Sequence, residues 1–345
     1  MAISIPLVAK NRLSGGAALL CRVAVCAFVG ASAAWPATPE PPPAIASTPP
    51  AAAQEPSPAE VLVEAPEPKY VAPTLRDRIG RIWAPVLING KGPFRLVLDT
   101  GASHSAIIAR VADALGVAAQ TDPILVRGVT GSAVVPAVRV DRMEVGDLLI
   151  EPSTLPIVAD VFGGAEGVLG REGLPDKRIF ADFGRDKLII SRSHRERAGI
   201  GFNTIPLKIT RGLLAADVRV GSIRTLAVID TGGQQTVGNL ALREALMKYP
   251  PKDAIGEDII GVTLDLQHGD TIAAPPIELG TLKLRQVRVT FADMYLFNHL
   301  KMTHEPTLLI GMDVLGSFDV LIIDYRMREM QIRTRGNRTV PTAVR

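Results

Sequence analysis

The tripeptide Asp-Thr-Gly occurs twice in this chain, each time directly after an apolar run. Leu96-Val97-Leu98 precedes Asp99-Thr100-Gly101, and Ala227-Val228-Ile229 precedes Asp230-Thr231-Gly232. A carboxylate at the end of a buried strand is costly unless it has partners or chemistry to perform. The threonine hydroxyl can hold such a loop in place, and glycine allows close approach of the backbone. The repeat therefore predicts two similar lobes whose loops place Asp99 and Asp230 side by side.

Two adjacent carboxylates have a characteristic chemistry. At about 3 Å and an effective dielectric constant near 20, two ionised carboxylates repel by roughly 5 kcal/mol, so the pair keeps one proton near neutral pH. The ionised member can activate a water molecule while the protonated member polarises a peptide carbonyl. The pair therefore predicts amide hydrolysis without a covalent intermediate, and we expect it to need neither metal nor cofactor.

The repeat extends on both sides of the two tripeptides. A turn glycine, Gly90 or Gly221, precedes each aspartate by nine residues, which predicts a hairpin that delivers the aspartate at its far end. A helix is predicted after each loop, the first ended by Gly116 and the second beginning at Asn239. The residues that predict these helices are apolar at helical spacing: Ile107, Ile108, Val111, Ala112 and Leu115, then Leu242, Ala245, Leu246 and Tyr249.

In these features the sequence resembles the aspartic peptidases of the pepsin and retropepsin clan, over roughly residues 79–335. The family lobe contains an Asp-Thr-Gly loop, a flap hairpin, and two apolar residues with a glycine packed behind the loop. Val168-Leu169-Gly170 and Leu309-Ile310-Gly311 match the last element. The resemblance implies a mainly all-β chain with two homologous acid-protease β-barrel lobes, each with a short helix or two. It also implies that Asp99 and Asp230 are the catalytic residues.

The resemblance also implies supporting roles for the residues that follow each aspartate. Thr100 and Thr231 match threonines whose hydroxyls bridge the two loops and make them rigid. Gly101 and Gly232 allow backbone N–H groups to approach the carboxylates.

Ala102 and Gly233 depart from the pepsin-like pattern, in which a hydroxyl residue at this position donates to the carboxylate and favours its ionisation. We therefore expect a dyad that is less acidic than that of pepsin and activity from mildly acidic to neutral pH. Gly233 also leaves the second loop more pliable.

A flap hairpin is expected between each Asp loop and the end of its lobe. Its tip is predicted near Thr130-Gly131-Ser132 in the first lobe and near His268-Gly269-Asp270 in the second.

The N-terminal part of the chain differs in composition. Residues 1–34 hold Lys10, Arg12 and Arg22 but no acidic residue, followed by a short apolar run and small residues, which predicts a secretory signal peptide. Because Arg22 interrupts this pattern, an uncleaved membrane tether is the alternative. Residues 35–73 hold twelve prolines, which predicts a disordered Pro/Ala-rich linker, either a spacer or a pro-segment that covers the cleft. We predict an N-terminal lobe over 74–198, a C-terminal lobe over 199–335 and a frayed tail over 336–345.

Charge and other motifs exclude several functions. The full chain has a formal net charge of +3, all of which residues 1–34 supply, and no basic face with interleaved aromatic residues suggests a nucleic-acid partner. Ser103-His104-Ser105 lacks the spacing of a catalytic triad or nucleophile elbow. His299 and His304 lack the glutamate of a zinc helix, so no metal is expected.

The sequence thus predicts an exported aspartic endopeptidase, most simply periplasmic, with membrane-anchored or secreted forms as alternatives. Its partner would be a polypeptide in an extended conformation, bound by backbone hydrogen bonds under a flap. We expect a monomer whose lobes pair within one chain, although pairing between chains is also compatible with the sequence. The competing hypothesis is a non-catalytic peptide-binding or scaffold protein that retains the fold.

Overall fold

The computed structural model describes residues 72–73, 80–146, 148–197, 199–247 and 255–334. The predicted signal peptide, nearly all of the predicted linker and the C-terminal tail lie outside the described residues. The described part of the chain is built mainly from short strands with a few short helices, which confirms the predicted fold class.

The first half of the described chain forms an eight-stranded sheet, a two-stranded hairpin and one helix, α1 (Ala109–Leu115). Its strands, in chain order, are β1 (Ala72–Pro73), β2 (Trp83–Ile88), β3 (Lys91–Leu98), β4 (Ala106–Ile108), β5 (Ile124–Arg127), β6 (Ser132–Val135), β7 (Ala137–Val140), β8 (Met143–Val145), β9 (Leu148–Ile150), β10 (Ser153–Val158), β11 (Gly167–Leu169), β12 (Lys177–Asp182) and β13 (Lys187–Arg192). The eight-stranded sheet has the order β7-β10-β4-β11-β3-β2-β8-β9, and β5 pairs with β6.

The second half forms a ten-stranded sheet with three helices, α2 (Leu240–Leu246), α3 (Tyr295–His299) and α4 (Met312–Leu315). Its strands are β14 (Asn203–Pro206), β15 (Lys208–Thr210), β16 (Leu213–Val220), β17 (Ile223–Ile229), β18 (Val237–Gly238), β19 (Ile255–Ile260), β20 (Leu266–Ala273), β21 (Ile277–Leu279), β22 (Leu282–Leu284), β23 (Arg288–Phe291), β24 (Thr307–Ile310), β25 (Val320–Asp324) and β26 (Glu329–Arg333). The order is β19-β20-β23-β18-β24-β17-β16-β21-β22, with β15 beside β16.

The two halves repeat one strand arrangement. In the first, β3 lies parallel to β11, which is antiparallel to β4; in the second, β17 lies parallel to β24, which is antiparallel to β18. The hairpins β2–β3 and β16–β17 that carry the two aspartates form as the turn glycines predict. The chain therefore has the two homologous β-lobes that the sequence repeat predicts.

A six-stranded sheet joins the two lobes, in the order β1-β13-β12-β25-β26-β14. Strand β12 of the first lobe pairs antiparallel with β25 of the second over five residue pairs. Ala72 and Pro73, which end the predicted linker, pair with Leu188 and Lys187 of β13. These two residues therefore form an edge strand of this sheet. Proline is tolerated in an edge strand, although it has no N–H group to donate to the ladder.

The predicted helices form with shifted boundaries. Helix α1 ends at Gly116, whose φ of +67° allows the left-handed cap, but Ile107 and Ile108 belong to β4 rather than to the helix. Both isoleucines are buried in a three-strand pairing that outweighs their helical spacing. Helix α2 begins as predicted, with the side chain of Asn239 accepting a hydrogen bond from the N–H of Leu242.

Candidate active site

The two Asp-Thr-Gly loops lie against each other at the ends of β3 and β17. The backbone N–H of Asp99 donates to the carbonyl of Leu169 at 3.0 Å, and that of Asp230 donates to the carbonyl of Ile310 at 3.0 Å. Each loop is thus fixed by the apolar pair of its own lobe that the sequence places behind it.

Two glycines bring the carboxylates together. A Cβ atom placed on Gly101 would lie 3.0 Å from Oδ1 of Asp230 and 3.1 Å from Oδ1 of Asp99. A Cβ on Gly232 would overlap the carboxylate of Asp99. Any larger residue at either position would push the loops apart, because interiors leave no room for added atoms.

Backbone N–H groups hold both carboxylates in the same way. Oδ1 of Asp99 accepts from the N–H groups of Gly101 and Ala102 at 2.8 and 2.9 Å. Oδ1 of Asp230 accepts from those of the two glycines that follow Thr231, at 3.0 and 3.1 Å. The residue at position 233 therefore contributes an N–H group as Ala102 does, although it has no side chain.

Thr100 and Thr231 link the loops across the lobe boundary. The N–H of Thr100 donates to the Thr231 hydroxyl at 3.1 Å, and the N–H of Thr231 donates to the Thr100 hydroxyl at 3.2 Å. The two hydroxyls in turn donate to the carbonyls of Ile229 and Leu98, both at 2.7 Å. All four groups are buried, so each bond satisfies polar atoms that have no access to water.

The environment of Asp99 favours its protonated form. Burial, with a smaller contribution from the neighbouring charge of Asp230, raises the pKa of Asp99 to about 7, against the lowering effect of the hydrogen bonds from Ala102 and Gly101. Asp230 is also buried, with 3% of its surface exposed. The pair therefore has one acid that retains its proton near neutral pH, as two facing carboxylates require.

A second layer of hydroxyl and carboxylate groups supports each loop. In the first lobe the N–H of Gly170 donates to the hydroxyl of Ser105 at 3.0 Å, and the carboxylate of Glu172 accepts from the N–H of Ser105 at 2.5 Å. Burial raises the pKa of Glu172 to about 7. These two residues were not selected as site residues from the sequence.

The second lobe repeats this support. The N–H of Gly311 donates to the hydroxyl of Thr236 at 3.2 Å, and Asp313 accepts from the same hydroxyl at 2.7 Å. Burial raises the pKa of Asp313. A hydroxyl residue six positions after each aspartate and an acidic residue two positions after each of these glycines are the sequence signals of this layer.

The first flap forms where the sequence predicts it. Strands β5 and β6 pair over four residues, and Thr130 and Gly131 lie in the turn between them, with Ser132 beginning β6. Thr130 is 2% exposed, so the tip of this flap is covered.

The second flap tip lies before the position predicted for it, so that prediction is wrong. The turn between β19 and β20 spans residues 261–265, whereas His268 and Gly269 lie within β20. His268 pairs across the hairpin with Asp258, Nδ1 to Oδ1 at 2.8 Å. The turn is made by Leu264, whose φ of +63° is uncommon for a branched residue and could not be read from its type.

A repeated tripeptide would have located both tips. Gly128-Val129-Thr130 begins 29 residues after Asp99, and Gly261-Val262-Thr263 begins 31 residues after Asp230. The two tips contact each other: a Cβ on Gly128 would lie 3.2 Å from Cγ2 of Val262, and Thr130 fills the space beside Gly261. The flaps therefore meet above the carboxylates, each glycine leaving room for a side chain of the other flap.

The first flap is also held by the second lobe. The N–H of Leu296, in α3, donates to the carbonyl of Val129 at 3.1 Å. Val129 packs in one apolar cluster with Leu213, Met294 and Leu296. The first flap is therefore attached to the opposite lobe on two sides, by α3 and by the second flap.

A cavity of about 180 Å³ lies under the flaps beside Asp230. Its apolar wall comes from Val129, Val161, Val237 and Leu309. It is also lined by the edge strand β19, by the loop of residues 232–235 and by Arg81. This volume accommodates one or two side chains, so a longer ligand would extend beyond it.

Other sequence candidates lie outside this geometry. Nδ1 of His104 lies 3.1 Å from the hydroxyl of Ser103, and His299 stacks on Tyr295 with ring centroids 6.0 Å apart. Within the ranges that the structure covers, no group of three or more His, Cys, Asp or Glu side chains is arranged to hold a metal ion. The helices in those ranges are all too short or too polar to cross a bilayer.

Two β-lobes that each present an Asp-Thr-Gly loop to a shared cleft define an aspartic-peptidase type of site. The family model described as aspartyl protease matches residues 84–173, which confirms the expected resemblance over the first lobe. A search of curated proteins finds no match. Among solved structures, an aspartic proteinase from Irpex lacteus matches with 12% identity and a TM-score of 0.46, over 79% of this chain and 98% of that one. The family match supports a peptidase function.

Proposed function

We propose that this chain is an exported aspartic endopeptidase that hydrolyses peptide bonds with a water molecule activated between Asp99 and Asp230. The observation that carries the proposal is that the two buried carboxyl groups lie side by side. A Cβ atom on Gly101 would be about equally close to both of them. A carboxylic acid with a pKa of about 7 beside a second buried carboxyl group is the pairing that acid–base hydrolysis requires.

In the proposed reaction the two aspartates have different roles. Asp230 accepts a proton from the water as its oxygen attacks the peptide carbonyl carbon, while Asp99 donates its proton to the carbonyl oxygen. The resulting gem-diol collapses when Asp230 returns a proton to the amide nitrogen and Asp99 takes one back from a hydroxyl, as the C–N bond breaks. Both carboxyl groups then return to their starting protonation states.

Edge strand β19 supports an extended polypeptide as the substrate. It is the outermost strand of the ten-stranded sheet, and its residues 258–260 line the cavity beside Asp230. An edge strand offers unpaired N–H and C=O groups, so a peptide can bind by adding a strand. The flaps would open to admit it and close over it.

Export, location and oligomeric state form part of the same proposal. The basic and then apolar start of the sequence supports a secretory leader and a periplasmic location, with an uncleaved leader giving a membrane-anchored form. The reciprocal hydrogen bonds between Thr100 and Thr231 within one chain support a monomeric enzyme.

The experiment that tests the activity is cleavage of a mixed peptide library by the full chain from pH 3 to 8, followed by mass spectrometry. Asp99→Asn and Asp230→Asn are each expected to abolish cleavage, and pepstatin is expected to inhibit the wild type. Asp217→Asn, which removes an exposed carboxylate paired with Lys208, is the matched control and should cleave normally. A folded, monomeric wild type that cleaves nothing would instead favour a non-catalytic peptide-binding protein.

A further inference from the structure

Arg81 is a buried cationic residue at the candidate cleft. It lies just before β2, is 3% exposed, and lines the same cavity as Asp230. Among the described residues that line this cavity, it is the only one with a cationic side chain. Burial of a guanidinium is costly because the group loses its hydration, so buried arginines are held by polar or charged partners.

The fold itself does not require arginine at this position. Trp83 and Ala215 each pair with the residue two positions before the aspartate of their own lobe, so Arg81 and Leu213, two positions earlier, are equivalent in the two lobes. Leu213 is 4% exposed and packs in an apolar cluster. The equivalent position is therefore occupied by a leucine in the second lobe. Only the first lobe places a positive charge there.

We propose that Arg81 determines specificity by binding an acidic side chain of the polypeptide substrate in the cavity beside Asp230. A guanidinium has five N–H donors in a planar fork. It can therefore donate two parallel hydrogen bonds to a carboxylate while keeping its other contacts. The cavity volume of about 180 Å³ accommodates an aspartate or glutamate side chain. This inference rests on the proposed function only in that the bound peptide is taken to be a substrate.

The remaining charges of the cavity make this position selective. Asp230 and Asp258 are the acidic residues that line it, and Asp258 is hydrogen-bonded to His268 on the flap. An acidic side chain is therefore disfavoured next to these carboxyl groups and favoured next to Arg81. A glutamate is therefore stabilised in one orientation of the substrate strand, whereas an uncharged residue gains no such preference.

The test compares matched peptides with the full-length protein. A positional-scanning octapeptide library carries Glu or Gln at each position in turn, and cleavage rates are measured by mass spectrometry. The wild type is expected to cleave Glu peptides at least about tenfold faster than Gln peptides at one position. Arg81→Leu, which copies the leucine of the other lobe, should abolish that difference while cleaving the Gln peptides at a similar rate.

Two further variants make the comparison specific. Arg81→Lys, which keeps the charge without the fork, should retain part of the preference even if Arg81→Leu fails to fold. Arg110→Leu removes an arginine that is 64% exposed and paired with Glu166, and should leave the preference unchanged. No Glu preference in the wild type, or an equal loss of both peptide sets in Arg81→Leu, would overturn the proposal.

A binding measurement tests the role of Arg81 independently of whether the protein cleaves peptides. Asp99→Asn keeps Asp230 and the cavity but removes the acid, so the same Glu and Gln peptides can be titrated onto it by calorimetry. Tighter binding of Glu peptides that Arg81→Leu abolishes in this background supports the inference even if the wild type cleaves nothing. Equal binding of the two sets would contradict it even if the wild type is an active peptidase.

Discussion

Thr100 and Thr231 exchange reciprocal hydrogen bonds between the two lobes, each backbone N–H donating to the hydroxyl of the other residue. The two residues are 131 positions apart in the chain, and both are fully buried. Their side chains therefore couple the two Asp-Thr-Gly loops to each other across the lobe boundary.

Thr231→Val tests this coupling. The substitution keeps the shape of the side chain but leaves the N–H of Thr100 and the carbonyl of Leu98 buried without a partner. We expect the free energy of unfolding in urea to fall by about 2–4 kcal/mol, because buried polar groups then lose their bonds. Thr231→Ser, which keeps the hydroxyl, should lose much less stability. Equal losses in the two variants would mean that the methyl group contributes as much stability as the hydrogen bonds do.

The pH dependence of cleavage follows from Asp99. Its pKa of about 7 means that the acid form predominates below that pH and is lost above it. We expect kcat/KM to decrease tenfold per pH unit above about pH 7, with full activity from mildly acidic to neutral pH, the limits being those of the coupled pair. The measurement is a kcat/KM profile from pH 2 to 9 with one fixed peptide. An optimum near pH 2 would contradict this assignment.

A reversible disulfide bond between the flap tips tests whether the tips must separate for cleavage to occur. A Cβ on Gly128 would lie 3.2 Å from Cγ2 of Val262, and Gly128 does not have a positive φ, so Gly128→Cys with Val262→Cys can form a disulfide. In a chain that also carries Cys21→Ser and Cys26→Ser, oxidation should lower cleavage at least about tenfold and reduction should restore it. The two single cysteine variants should not respond to reductant. Full activity in a verified disulfide form would show that substrate enters without separation of the tips.

Glu172→Gln tests the support behind the first loop. Burial raises the pKa of Glu172 from 4.5 to about 7, so the folded protein binds a proton that the unfolded chain releases between these values. This group therefore favours the folded state most below about pH 4.5, and that contribution is lost as the pH rises to about 7, by up to about 3 kcal/mol.

The variant carries no titratable group there and should lose less stability between pH 4.5 and 7 than the wild type does. Chemical denaturation at several pH values measures this difference. Glu144→Gln, which changes a half-buried glutamate paired with Arg142, is the control and should follow the wild type. The same pH slope in Glu172→Gln as in the wild type would assign the dependence to another group.

The local patterns of the sequence were sufficient for the fold class and for the two aspartates that face each other between the lobes. The duplicated Asp-Thr-Gly tripeptides, the turn glycines nine residues before them and the apolar pairs behind them all recur in the structure at equivalent places. Gly116 and Asn239 end and begin their helices as predicted, because a left-handed cap and an N-cap depend on one residue and its neighbours.

The second flap shows where local patterns fail. His268-Gly269-Asp270 has the composition of a turn, yet it lies in β20 because pairing with β19 and packing against β23 outweigh turn propensity. The actual turn uses Leu264, a residue type that rarely adopts its backbone conformation. Ile107 and Ile108 likewise lie in β4, which pairs with β10 and β11, although their spacing predicts a helix.

The sequence by itself thus determined the two lobes, their loops and the two aspartates, because repeated short motifs encode repeated local structure. Only the tertiary structure decided which residues of one lobe meet those of the other: Thr130 beside Gly261, Leu296 on Val129, and Arg81 in the cavity of Asp230. These contacts join residues more than a hundred positions apart. They depend on how the two lobes are oriented, a property of the packed interface that no local pattern of residues specifies.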